Sequence, residues 1–243
     1  MNIPKQPFIA IVLLALGGFA FAAPSAEETA IRANLKKRIP QIEKIDEVRK
    51  TPMKGLFEVR VNGSDIFYTD RQGNYLIHGN LIDTRARKNL TEERVEKLTA
   101  VDFKSLPLTD SFKLVRGNGE RQLAVFEDPN CGYCKRFERD LQNVDNLTVH
   151  LFLYPILSAD SQEKSKNIWC AKDPAGAWND WMLREQPAAS AECDAAPIER
   201  NLAFGRKYKI TGTPTLIFAD GKRIPGAISA AQVEQLLVKA SGN

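Results

Sequence analysis

Leu123-Ala124-Val125-Phe126-Glu127-Asp128-Pro129-Asn130-Cys131-Gly132-Tyr133-Cys134 is the stretch that decides the architecture. Its first four residues form a short apolar run suited to a buried strand, Asp128-Pro129-Asn130 breaks that run, and a helix is predicted from about Cys131. C-x-x-C spacing alone is a weak signal, but at a strand-to-helix junction it is informative. There the first cysteine faces unpaired backbone N–H groups and the positive end of the helix dipole, which stabilise its thiolate near neutral pH. Cys134, three residues on, shares that face and can reach the sulfur of Cys131. One thiol then attacks and the other resolves the mixed disulfide.

Downstream, 147–154 is strand-like, and Asp160 to Ala171 is helical with Asp160 and Glu163 spaced like a capping box. Further helices run through Trp178 to Leu183 and Pro197 to Tyr208. Thr215-Leu216-Ile217-Phe218, the turn Asp220-Gly221 and Arg223-Ile224 make a closing hairpin. Ser229 then opens a last helix with Val233, Leu236, Leu237 and Ala240 on one face. Strands alternating with helices in this way argue for a mixed α/β sheet. Pro214, in Gly212-Thr213-Pro214-Thr215, would obstruct a central ladder unless it sits at the start of its strand. A cis bond there would expose the backbone of Thr213 beside the sulfurs, although X-Pro bonds are cis only about 5% of the time.

Upstream, Ala30, Ile31, Leu35 and Ile39 fall at helical spacing from Ser25 to Arg38, and Pro40 stops the run. Residues 56–61 read as a strand, Asn62-Gly63 as a hairpin turn, 65–69 as the returning strand and 75–77 as a third. This small unit has few large apolar groups and should be marginal alone, so pairing with a second copy would help it. A charged segment, Asp83 to Asn89, leads to Thr91-Glu92-Glu93, read as an N-cap followed by acids in the first helical turn. Val95, Leu98 and Val101 form a narrow apolar stripe on that helix, which is expected to end near Phe103. We read it as a spacer, the competing reading being the edge of a globular core.

The chain has 243 residues, 43% hydrophobic and 26% charged, a globular composition that excludes disorder throughout. Its 34 basic and 30 acidic residues are interleaved, which argues against a nucleic-acid partner. Lys5, the apolar run Phe8 to Ala20 and the small-x-small pattern Ala20-Phe21-Ala22 read as a cleaved secretory signal over 1–22. The run is shorter than the roughly 20 apolar residues of a spanning helix. Export into an oxidising compartment lets disulfides persist. The four cysteines then divide into a close pair suited to chemistry and a wide pair suited to bracing. A zinc site would need four ligands, and beside Cys131 and Cys134 stand only His78 and His150 with no second C-x-x-C. No cofactor is implied.

C-x-x-C at a strand-to-helix junction with a later Thr-Pro before the closing hairpin resembles the thioredoxin fold. The whole order is closer still to one branch of it. A signal peptide, a small N-terminal unit, a linker helix, Cys131-Gly132-Tyr133-Cys134, a helical insertion containing Trp169-Cys170-Ala171-Lys172-Asp173, and Gly212-Thr213-Pro214 together resemble the periplasmic DsbC-type protein disulfide isomerases over essentially the mature chain.

The resemblance implies an α+β protein of several parts: a helix-plus-antiparallel-sheet dimerisation domain (23–88), a linker helix (89–106), and a thioredoxin-fold catalytic domain (107–243) with its helical insertion at about 158–208. It implies that Cys131 attacks and Cys134 resolves, that Thr213 and Pro214 form the cis-proline loop that meets the client, and that Cys170 and Cys193 form a structural disulfide; Gly132 and Tyr133, by their place between the cysteines, are expected to contact the client as well. It also implies a periplasmic homodimer that binds unfolded clients like a chaperone, rearranges disulfides in misoxidised secreted proteins, and draws electrons from a membrane-embedded DsbD-like thiol reductase. A thiol oxidase or reductase of the same fold and a non-catalytic holdase are the alternatives. One departure stands out. The buried aspartate that thioredoxins carry six residues before the first cysteine is Val125 here. Glu127, four before Cys131, is a nearer carboxylate whose strand-end position predicts a solvated charge.

Overall fold

Ser25 opens the first helix, α1 (Ala26–Arg38), its hydroxyl accepting the Glu28 N–H at 3.1 Å, a cap worth about 1 kcal/mol. The computed structural model describes residues 24–242, so the signal read over 1–22 and its cleavage point lie outside the described residues. Buried Ile31 and Leu35 of α1 pack in a cluster with Val48, Phe57, Val59 and Val61 of a four-stranded sheet. That sheet has the order β1 (Ile45–Lys50), β2 (Phe57–Val61), β3 (Asp65–Thr69), β4 (Leu76–Ile77), with β1–β2 and β3–β4 antiparallel. Asn62 and Gly63 both take positive φ, 50° and 85°, the backbone a tight hairpin requires and the reason this dipeptide was readable.

β1 is a strand the sequence reading missed. Four of its six residues are charged, which hides the pattern carried by Ile45 and Val48. The charges are matched across the ladder: Arg49 lies opposite Glu58 and holds it with two bonds of 2.7 Å.

A two-stranded hairpin, β5 (Ile82–Asp83) and β6 (Lys88–Asn89), leads into α2 (Leu90–Thr99). The cap is Asn89, which accepts the Glu92 N–H at 3.1 Å, and not Thr91. The Thr91 hydroxyl is turned instead to the Leu81 N–H. The helix stops at Thr99, and Phe103 belongs to a separate 3-10 turn, Phe103–Ser105. By contact density the chain divides into two units, residues up to 62 with 66–78, and 63–65 with 79 onward, so α2 goes with the larger one.

The larger unit is built on a five-stranded mixed sheet. Its strands are β7 (Phe112–Arg116), β8 (Arg121–Glu127), β9 (Leu147–Leu153), β10 (Thr215–Phe218) and β11 (Arg223–Pro225), in the spatial order β11-β10-β8-β9-β7. β8 and β9 are parallel and the other pairs antiparallel. β7, the second strand missed from sequence, is an edge strand whose fully buried side chain is Leu114. β8 alternates as its period of two requires: Leu123 and Val125 face the cluster of Phe137 and Leu141, while Ala124 and Phe126 face that of Phe152, Tyr154 and Leu202. A sheet covered on both faces explains why Leu123 to Phe126 of β8 read as a continuous apolar run.

Between β8 and β9 lies α3 (Gly132–Leu141), and after β9 come α4 (Ala159–Trp169), α5 (Pro174–Arg184) and α6 (Ala196–Lys207). α4 is capped by Ser158, which accepts the Ser161 N–H at 3.1 Å, so Asp160 and Glu163 form no capping box. Asp160 instead binds Asn130 at 2.6 Å and Lys164 at 2.5 Å. Cys170 and Cys193 are joined by a disulfide from the end of α4 to the approach of α6, closing the segment that contains α5. Gly205 lets α6 lie against Tyr154, since a Cβ there would fall 2.2 Å from the phenol oxygen. α7 (Ala230–Ala240) closes the chain behind a Ser229–Gln232 capping box. Among the described residues no helix is long and apolar enough to cross a membrane.

Candidate active site

β8 ends and α3 begins within a few residues, and Cys131 occupies the N-cap of α3. Its sulfur accepts the Cys134 backbone N–H at 3.3 Å, so the thiol does the work that a serine or aspartate usually does at this position. The sequence argument for an activated first cysteine rested on this placement. Across the site, the Cys131 thiol lies 3.3 Å from the carbonyl oxygen of Thr213, and the Thr213–Pro214 bond is cis. The fold therefore brings together Cys131 and Cys134 with Thr213 and Pro214, Thr213 lying 82 residues after Cys131 in the chain, with Gly132 and Tyr133 exposed beside them. Cys170 and Cys193 stand apart in the helical insertion.

The two thiols are unequal. Cys131 has its pKa lowered from 9.0 to about 6 by hydrogen bonding from the Cys134 thiol, with Thr213 and the backbone N–H groups of Cys134 and Tyr133 adding to it against a smaller penalty from burial. Cys134 is fully buried, and burial, followed by interaction with Cys131 and Glu127, pushes its pKa strongly upward. At neutral pH the pair is a thiolate over a thiol, the division that attack followed by resolution needs.

Because the native site holds Cys131 at about 6 while an unfolded chain keeps it near 9.0, the reduced fold gains stability as pH rises across that window and loses the gain as pH falls toward 6. Alkylation of the reduced protein at Cys131 is expected to titrate with a midpoint near 6. A midpoint near 9, as for an ordinary thiol, would contradict the geometry.

Asp128, marked in the sequence only as part of the break after the strand, fixes the corner. Its buried carboxylate accepts the Asn130 N–H at 2.8 Å and, from the turn after β9, the N–H groups of Ile156 and Leu157 at 2.9 and 3.0 Å. Ile156 and Leu157 are exposed, as is Tyr133 at 70%, giving the rim of the site an apolar character. The insertion braces the same corner: the Trp181 indole N–H donates to the Pro129 carbonyl at 2.6 Å, and the ammonium groups of Lys135 and Lys164 each lie 4.4 Å from its ring. Glu127 is corrected by the structure. It continues the parity of Leu123 and Val125, lies under α3 and is 0% exposed, where its strand-end position had suggested a solvated charge.

Comparison with known proteins places both parts of the chain. Residues 22–92 match the disulfide bond isomerase protein N-terminal domain and 108–241 a thioredoxin-like domain. The chain is 47% identical over 215 residues to the "Probable thiol:disulfide interchange protein DsbC" of Bordetella parapertussis, covering 88% of this chain and 76% of that one. It is 28% identical over 242 residues to the thiol:disulfide interchange protein DsbC of Escherichia coli, covering 96% and 95%. A disulfide interchange protein from Neisseria gonorrhoeae superposes with a TM-score of 0.53 at 36% identity, over 56% of this chain and 98% of that structure.

Proposed function

Because this chain belongs to the DsbC family of disulfide isomerases, we propose that Cys131 and Cys134 are its working pair, Cys131 attacking a client disulfide and Cys134 resolving the mixed disulfide. The enzyme is a thiol-disulfide oxidoreductase and isomerase of α+β architecture, with an N-terminal helix-and-sheet domain and a C-terminal thioredoxin-like domain. The observation that carries the assignment of roles is the pairing of an N-capping, low-pKa Cys131, opposite the Thr213 carbonyl, with a fully buried Cys134. Thr213 and Pro214 present backbone to an extended client segment, and Gly132 and Tyr133 border it. The exposed apolar side chains of Tyr133, Ile156 and Leu157 suit the apolar groups that a partly folded client displays, which supports chaperone-like binding.

Isomerisation starts from a free thiolate, so Cys131 must be kept reduced in an oxidising compartment. The proposed location is the periplasm, reached by cleavage after Ala22, and the proposed electron donor is a membrane-embedded DsbD-like reductase. The discriminating experiment measures the redox state of Cys131 in acid-quenched cells and the recovery of a client with scrambled disulfides. A reduced pair and recovery by the reduced protein support an isomerase. An oxidised pair in a protein that only oxidises reduced clients would replace it with an oxidase.

The N-terminal unit, 23–88, is proposed to dimerise. Among the described residues its main apolar cluster holds six buried residues, and its edge strand β4 spans two residues, of which Ile77 is exposed (52%), with exposed Tyr75 (73%) beside it. Light scattering at about micromolar concentration should give the mass of two chains. The mass of one would remove the dimer.

A further inference from the structure

Two carboxyl groups lie inside the protein beneath the cysteine pair. Glu127 ends β8 on the face covered by α3, and Glu138 lies on α3 one turn beyond Cys134; both are fully buried. Among the described residues neither oxygen of Glu127 has a hydrogen-bond partner, and Oε2 of Glu138 has none either. Two carboxylates taken out of water with so few donors cannot both stay charged.

Their surroundings differ. Glu138 Oε1 accepts the Trp178 indole N–H from α5 at 3.0 Å, and its Oε2 lies 3.8 Å from the guanidinium of Arg116 on β7. Facing Glu127 are Glu138 and Cys134 of α3 and Cys131 at its N-cap, and Leu153 stands opposite it on β9. Burial, and then the neighbouring Glu138, hold the Glu127 carboxyl well above the usual carboxylate range. Glu127 is thus the carboxyl that holds a proton.

Resting on the reading of Cys131 and Cys134 as the redox pair, we infer that Glu127 is the general acid that protonates Cys134 each time the Cys131–Cys134 disulfide is reduced. A thiolate of an external dithiol attacks Cys131 Sγ. The Cys131–Cys134 bond breaks, and its electron pair goes to Cys134 Sγ, which takes the Glu127 proton. Cys134 is left as a thiol and Glu127 as a carboxylate, which regains a proton from solvent. The second thiol of the donor, as its thiolate, then displaces Cys131, which leaves as the thiolate, and the donor becomes a disulfide.

Run in the other direction, the same proton obstructs. Cys134 must lose its own proton before it can attack a mixed disulfide, and a neutral Glu127 cannot accept it. Re-reduction is therefore assisted while release through Cys134 is delayed. A client held on Cys131 during that delay has time to direct its own thiols at the bond, which is the difference between rearranging a disulfide and merely reducing it. Glu138 is a positioning residue, acting through Glu127 by keeping it neutral.

The test is quenched-flow reduction of the oxidised protein by dithiothreitol from about pH 5 to about pH 9, corrected for the thiolate fraction of the reagent. The corrected rate of the wild type should fall as pH rises through the titration of Glu127. Glu127→Gln should lower the rate at the acidic end by about a hundredfold and remove that break. Glu138→Gln should move the break to lower pH, which a purely structural role would not do. A Glu127→Gln profile identical to wild type would overturn the assignment. Should that variant fail to fold, infrared difference spectra of the wild type between its oxidised and reduced states provide the same decision. A protonated carboxyl perturbed by the redox change is expected, and carboxylates alone would overturn the inference. Peptide mapping of the oxidised protein separates the two readings: with no Cys131–Cys134 bond both fall, whereas with the bond present and the profile unchanged only the role of Glu127 falls.

Discussion

Replacing Cys131 by alanine is expected to reduce the recovery of a client with scrambled disulfides to the uncatalysed level. The reason is that no other group can stand in for it. Cys134 is fully buried and its pKa is driven upward, so its thiolate is scarce at neutral pH, and Cys170 and Cys193 are bonded to each other. Even an ordinary thiol in that position, titrating near 9 where Cys131 titrates near 6, would hold about a hundredfold less thiolate at pH 7. The loss in Cys131→Ala should therefore be at least about that large. Cys134→Ala is the informative companion. With the resolving thiol gone, mixed disulfides through Cys131 should accumulate as bands that a reductant removes on non-reducing gels. Release of the client at the wild-type rate would show that Cys134 does not resolve the bond.

The second large effect is one of stability. The Cys170–Cys193 bridge spans 23 positions and closes a 24-residue loop around α5, for which chain entropy predicts about 3.4 kcal/mol. Cys170→Ser should accordingly lower the thermal midpoint by about 7–14 °C in a chain of this size. The native packing of Trp178 and Met182, both fully buried from α5, has to be regained without the constraint. The thiol of Cys131 should still titrate near 6, because the groups that lower it sit on α3 and the Thr213 loop. If calorimetry and alkylation showed the two properties falling together, the bridge would be part of the chemistry rather than a brace.

The catalytic corner was legible because its signals are local. An apolar run, a break and a C-x-x-C predict strand, turn and helix from a dozen consecutive residues, and Asn62-Gly63 predicts its hairpin from two. β1 and β7 were missed because both lie at sheet edges, where charged residues such as Arg49, Lys50 and Lys113 stand on solvated positions and dilute the alternation. The caps of α2 and α4 were misplaced by two residues each, since Asn89, Thr91, Ser158 and Asp160 are all chemically able to cap and only the hydrogen bonds decide between them. Glu127 is the most instructive error. Parity with Leu123 and Val125 already placed it on an inner face, but its charge argued for solvent, and only α3 lying over it settles the matter. Asp128 could not have been found from sequence, because two of its three partners come from a turn 28 and 29 residues away.

That carboxylate has a consequence for how the protein can change over generations. By gripping the N–H of Asn130 on one side and those of Ile156 and Leu157 on the other, the Asp128 carboxylate ties the two lips of the site together with no side chain of theirs involved. The side chains at 156 and 157 carry none of those bonds and are free to vary. Client preference can therefore drift, or be engineered, by repainting the lip, while the sulfur chemistry next door is inherited unaltered.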